Sequence, residues 1–164
     1  MTHFKKHIIP YIFVTGLGVL AHFTYEWSGK NSIVGLFSPV NESTWEHLKL
    51  IFFPMLLLTV WNILSSHRGD YDFLPARTTG ILAAMGFTIV TFYTYIGVIG
   101  HNIDFINIII YFLAVAFGFW VENRIYEKTG FLNPRTSLAV LFIVTLLFAL
   151  FSYMAPHIGI FRVP

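Results

Sequence analysis

Residues 78–103 read TTGILAAMGFTIVTFYTYIGVIGHNI, a run without a single Asp, Glu, Lys or Arg. A helix needs about 20 apolar residues to cross the hydrocarbon of a bilayer, and an amphipathic helix of a soluble domain would interrupt such a run with charge. This segment is therefore a membrane span. Four more charge-free runs flank it: His7–Tyr25, Leu50–Ser66, Phe105–Val121 and Thr136–Phe161. The runs from Leu50 and Phe105 are short, so each must recruit a turn from its flank. The spans are predicted at about 8–28, 46–66, 77–99, 103–123 and 135–155. The fold class that follows is all-α, a polytopic transmembrane helix bundle with five spans, forming a single domain over residues 1–164.

Composition agrees. Hydrophobic residues make up 56% of the chain and charged residues 11%, against about 25% charged in an ordinary soluble domain. A disordered chain and a nucleic-acid-binding protein are both excluded, so the expected partner is the lipid bilayer, with no nucleic acid. A bundle this small is compatible with a homodimer. There is no cysteine, which removes disulfides, Cys-ligated zinc, iron–sulfur clusters and thiol catalysis. A metal site would have to use His, carboxylate, amide or water.

Local signals place the helix ends. Pro10, Pro75 and Pro134 stand near helix starts, where a missing N–H costs little. Ser43-Thr44-Trp45-Glu46 reads as a capping box opening the second span. Pro54 lies inside that span and should kink it. Lys5, Lys6, Arg68, Arg77, Arg124, Lys128 and Arg135 fall on one side, and Lys30, Lys49 and Arg162 on the other. The positive-inside rule then gives an N-in/C-out topology. The first span has features of a signal peptide, including Val19-Leu20-Ala21 as a weak cleavage match, but it is expected to be retained.

Half of the acidic residues then fall at the outer end, as do four of the seven His. His22 and Glu26 are four apart and continue the Thr15–Gly18 stripe, a pattern that packs against other helices. Glu42 and Glu46 are also four apart, with His47 beside them. Thr91, Thr94, Gly97 and His101 repeat the logic on the third span, and Asp104 follows in the same outer loop. Ionisable groups in a span are costly and mark functional sites. The expected metal ligands are His22, Glu46, His47 and His101, with Glu26 and Glu42 as catalytic base or supporting carboxylates. The metal would be a divalent ion such as zinc, although no H-E-x-x-H motif is present.

Three functions fit such a cluster. A metal-dependent, membrane-embedded hydrolase would act on a lipid or other membrane-borne substrate. A small transporter or channel for metal ions or protons would use the same residues as a binding site. A non-catalytic accessory or interaction subunit would use them to lock helix packing.

The segment His22–Gly29, the run Pro39-Val40-Asn41-Glu42-Ser43-Thr44-Trp45-Glu46-His47-Leu48-Lys49 and the tail Ala155–Arg162 together resemble an uncharacterised family of small bacterial polytopic membrane proteins of unknown function. The Asn-Glu-Ser-Thr-Trp-Glu-His run is the most specific part. Ala155 departs from the proline pair expected there. The resemblance covers the whole chain and implies a multi-pass protein of the bacterial cytoplasmic (inner) membrane, and supplies no substrate.

Overall fold

A computed structural model describes residues 3–65, 71–126 and 132–164. The described chain forms helices α1 (His3–Trp27), α2 (Ser32–Gly35), α3 (Thr44–Ser65), α4 (Leu74–Ile99), α5 (Asp104–Tyr126) and α6 (Pro134–Phe151), followed by a 3-10 turn at Gly159–Phe161. All but α2 are long and apolar enough to span a membrane, with the first span running Ile8–Trp27. The expected all-α bundle with five membrane-length helices is the observed one. Side chains of Lys5 and Lys6, and residues His67, Arg68, Gly69, Lys128 and Gly130, lie outside the described part.

The proline and capping signals hold with two amendments. Pro75 and Pro134 occupy first turns of α4 and α6, and Pro54 lies within α3. Pro10 is interior instead, because α1 begins upstream at His3. At the start of α3 only half of the expected box forms. Ser43 Oγ accepts the Glu46 N–H at 3.4 Å, but the Ser43 N–H donates to Asn41 Oδ1 at 2.9 Å. The Glu46 carboxylate is engaged elsewhere.

The core is a column of apolar side chains shared by the spans. Val14 of α1, Phe52 and Met55 of α3, Ile81 and Ala84 of α4, Ala114 and Val115 of α5 and Phe148 of α6 are all fully buried. Glycine sets the closest approaches. A Cβ on Gly80 would lie 2.6 Å from Gly118 O, and one on Gly118 would lie 2.8 Å from Gly80 O. The α4 and α5 backbones therefore touch there, the small-residue packing typical of membrane helices. One turn away the same two helices exchange an ion pair, Arg77 Nε to Glu122 Oε2 at 2.7 Å, with Arg77 NH1 also 3.5 Å from Thr59 Oγ1 of α3. Glu122 is thus a cross-helix partner.

Gly97, read as part of a face that packs against other helices, faces open space, as does Gly100. Gly100 has another task. Its φ of 86° ends α4 with a left-handed cap, which costs a residue without Cβ little. The short turn that follows brings α5 back antiparallel to α4.

Candidate metal centre at one end of the bundle

The 28–43 connection is fixed to the bundle by one buried cation. Lys49, fully buried on the second turn of α3, donates from Nζ to Gly35 O (2.7 Å), Ser38 O (3.1 Å) and Glu46 Oε2 (2.6 Å). All three ammonium protons are used, the condition under which a buried charge is tolerable. Glu46 Oε2 also accepts the Val40 N–H at 2.9 Å. Residues 35–40 are in this way pinned against α3, and the chain that follows, Asn41–Ser43, must turn over the start of α3.

That turn carries Glu42 to His47. His47 Nε2 lies 3.2 Å from Glu42 Oε2, and His47 Nδ1 lies 3.0 Å from Ser43 O. The His22 ring of α1 stands beside the His47 ring, centroids 5.4 Å apart and planes tilted by 33°. His22, Glu42 and His47 each offer a ligand atom, and these atoms all lie within 4.8 Å of one another.

The hydrogen-bond inventory makes the trio unusual. A neutral imidazole has one N–H, yet both His47 ring nitrogens face an oxygen acceptor. A second positive centre, either a proton or a metal cation, has to sit at Nε2. The Nδ1–H to carbonyl contact is the arrangement that leaves Nε2 free as a ligand. His22 Nδ1 is buried without a hydrogen-bond partner. The Glu42 carboxyl is held below its ordinary value, chiefly by the hydrogen bond with His47, which outweighs its partial burial. Two imidazoles and a carboxylate with room for a further ligand form a donor set that suits zinc.

The trio opens on a cavity of about 790 Å³. His22 and Val19 line it from α1, Thr44 and His47 from α3, Thr88 and Phe92 from α4, and Asp104 and Asn107 from α5. Two of the lining residues are tied together, Asn107 Nδ2 donating to Asn102 Oδ1 at 2.8 Å, and the Tyr95 hydroxyl, outside the lining, lies 2.6 Å from Asn107 Oδ1.

The structure redistributes the sequence-derived candidates. It brings His22, Glu42 and His47 together. Glu46, expected as a ligand, is instead the partner of Lys49, because it is buried on the opposite side of the first α3 turn from the cavity wall. Glu46 Oε1 is buried without a partner. His101 is exposed in the α4–α5 turn and stands outside the group. Glu26 points outward to Lys30, 3.7 Å away, with both side chains about two-thirds exposed. Thr94, assigned to an inward polar face, is exposed and returns its hydroxyl to Val90 O at 2.6 Å. Lys49 and the Asn102–Asn107 pair carry more of the local architecture than the sequence suggested. The Glu46–Lys49 spacing of three was the available signal.

A profile described as "Family of unknown function (DUF6512)" matches residues 1–163. The chain belongs to this family. No curated protein and no solved structure matches it. The run from Asn41 to His47, the most specific part of the resemblance read from the sequence, is the segment that brings Glu42 onto His47. Within the family frame, the description of unknown function leaves the chemistry to be argued from the site.

Proposed function

We propose that this protein is a membrane-embedded, metal-dependent enzyme, with His22, Glu42 and His47 holding a divalent ion of the zinc class. The observation that carries the reading is the convergence at one place of three ligand atoms within 4.8 Å of one another, where both His47 nitrogens face oxygens and buried His22 Nδ1 has no partner. Tetrahedral zinc with ligands at about 2.0–2.2 Å separates them by about 3.4 Å, and the 3.2 Å between His47 and Glu42 fits that spacing. When bound, such an ion supplies Lewis acidity and an activated water for attack on a carbonyl. The chain's own residues do the rest. Ser43 O fixes the His47 tautomer, and Glu42 offsets the ion's charge.

The buried column beneath the cavity favours an enzyme over a conduit. Ile51 and Ile110 line the cavity and are 1% and 3% exposed. Below them the core of Met55, Ile81, Ala84 and Val115 separates the trio from the Arg77–Glu122 pair. The hydroxyls near that interval, on Tyr11, Thr15, Thr59 and Tyr111, are engaged by backbone carbonyls.

The charge pattern supports an outward-facing site in a bacterial cytoplasmic membrane. Arg77, Arg124 and Arg135 stand at the opposite end, where the sequence also puts Lys5, Lys6, Arg68 and Lys128, and exposed Lys30 and Arg162 are at the site end.

Elemental analysis of the detergent-purified protein after zinc loading and desalting tests the reading. About one zinc per chain is expected. His22→Ala and His47→Ala lose it, and His101→Ala keeps it. A wild-type protein without stoichiometric metal would overturn the proposal.

A further inference from the structure

α1 and α5 are tied together at mid-depth and part above it. The Tyr111 hydroxyl of α5 sits 3.3 Å from Val14 O and 3.2 Å from Thr15 O of α1, in a niche that exists because residue 18 is glycine; a Cβ there would strike that hydroxyl and Leu50 O. The Tyr11 hydroxyl donates back to Phe112 O at 3.3 Å. Toward the site end, Val19 and Phe23 of α1 and Ile108 and Phe112 of α5 line the cavity, and yet these four are 38–54% exposed. Side chains that both line a cavity and face outward mark its mouth. The mouth is a slot between two membrane-spanning helices, edged by apolar groups and directed at hydrocarbon.

The polar groups define what enters. The cavity presents the carboxylates of Glu42 and Asp104 and the amides of Asn102 and Asn107, and no Lys or Arg is among its described lining residues. Phosphate recognition calls for guanidinium, ammonium or an array of backbone N–H donors. The Asn102 and Asn107 amides instead match hydroxyl or amide groups, which both donate and accept. The volume of about 790 Å³ falls within the roughly 300–1,000 Å³ of small-molecule sites. That is room for one chain with a small head, and not for a two-chain lipid.

We propose that the cavity admits, sideways from the bilayer between α1 and α5, a single-chain amphiphile whose head is uncharged and bears hydroxyl or amide groups. A monoacylglycerol is the simplest example. Placing the head against His22, Glu42 and His47 rests on the reading of that trio as a cation site; the chain's place in the slot does not.

The full-length protein in nanodiscs, photolabelled with a monoacylglycerol carrying a diazirine in its chain, tests this. Saturable labelling is expected on residues 19–23 and 108–112. Unlabelled monoacylglycerol displaces it, while a lysophospholipid of the same chain length needs about tenfold higher concentration. Val19→Trp and Ile108→Trp, which fill the slot, reduce labelling severalfold. Unsaturable labelling spread over α6 as well as α1 and α5, or equal displacement by the lysophospholipid, would overturn the proposal. Zinc bound without saturable slot labelling defeats this inference alone. Saturable labelling without zinc defeats the cation reading alone.

Discussion

Lys49 and Glu46 meet through a 2.6 Å hydrogen bond on one turn of α3, both fully buried, and together they hold residues 35–40 against the helix. Glu42 reaches His47 because this lock bends the chain over the start of α3. Removing one partner leaves a buried charge uncompensated, which typically costs about 3–5 kcal/mol. Lys49→Met should therefore lower the thermal stability of the detergent-solubilised protein by about that much. The double variant Lys49→Met/Glu46→Leu should recover part of the loss and not all of it. Gly35 O, Ser38 O and the Val40 N–H would still lack their partners. A single variant as stable as wild type would contradict this role.

Gly80 and Gly118 face each other across α4 and α5 with no room for a methyl group. Overpacking such a contact costs roughly 1–3 kcal/mol. Gly80→Ala should destabilise by about that amount. Gly97→Ala, at a position open to its surroundings, should change unfolding little. Equal effects of the two substitutions would mean that the helices do not touch there.

The Glu42 carboxyl titrates below its ordinary 4.5 in the folded protein, mainly through its hydrogen bond with His47. A depressed carboxylate pKa contributes stability above the unfolded value and loses it as pH falls through the folded value. The difference in stability between wild type and Glu42→Gln should shrink as pH falls below about 4.5. Because Glu42 is largely exposed, the difference should be small. Unfolding measured across pH 3–4.5 checks this; a difference that grows on acidification over that range would refute it.

With no native cysteine in the chain, single thiols can report topology. Cysteine at Ser28 or Asn31, in the connection at the site end, should react with a membrane-impermeant maleimide on intact cells. Cysteine at Tyr126, at the opposite end, should react only after lysis. The reverse pattern would invert the orientation.

The spans were legible in the sequence because bilayer thickness fixes the length of an uncharged helix, and the runs from His7, Leu50, Thr78, Phe105 and Thr136 match α1, α3, α4, α5 and α6. The trio was legible only in part. His22, Glu42 and His47 stood out as ionisable groups near the ends of spans. Their grouping with Glu46, His101 and Glu26 relied on helical spacing, which says which residues share a face and not where that face points. Glu42 lies before α3 begins at Thr44, so its spacing of four from Glu46 does not place the two on one helical face. Glu26 did share a face with His22 but lies a turn further out, where Lys30 is the nearer partner. In the sequence Lys49 reads as an orienting charge, because nothing local shows that residues 35–38 fold back to receive it.

X-ray absorption at the zinc edge of the loaded wild-type protein tests the central claim most directly. The proposed site predicts a first shell of nitrogen and oxygen at about 2.0–2.2 Å with scattering from two imidazoles, unchanged in His101→Ala. Zinc without imidazole scattering, or an imidazole lost on replacing His101, would contradict it.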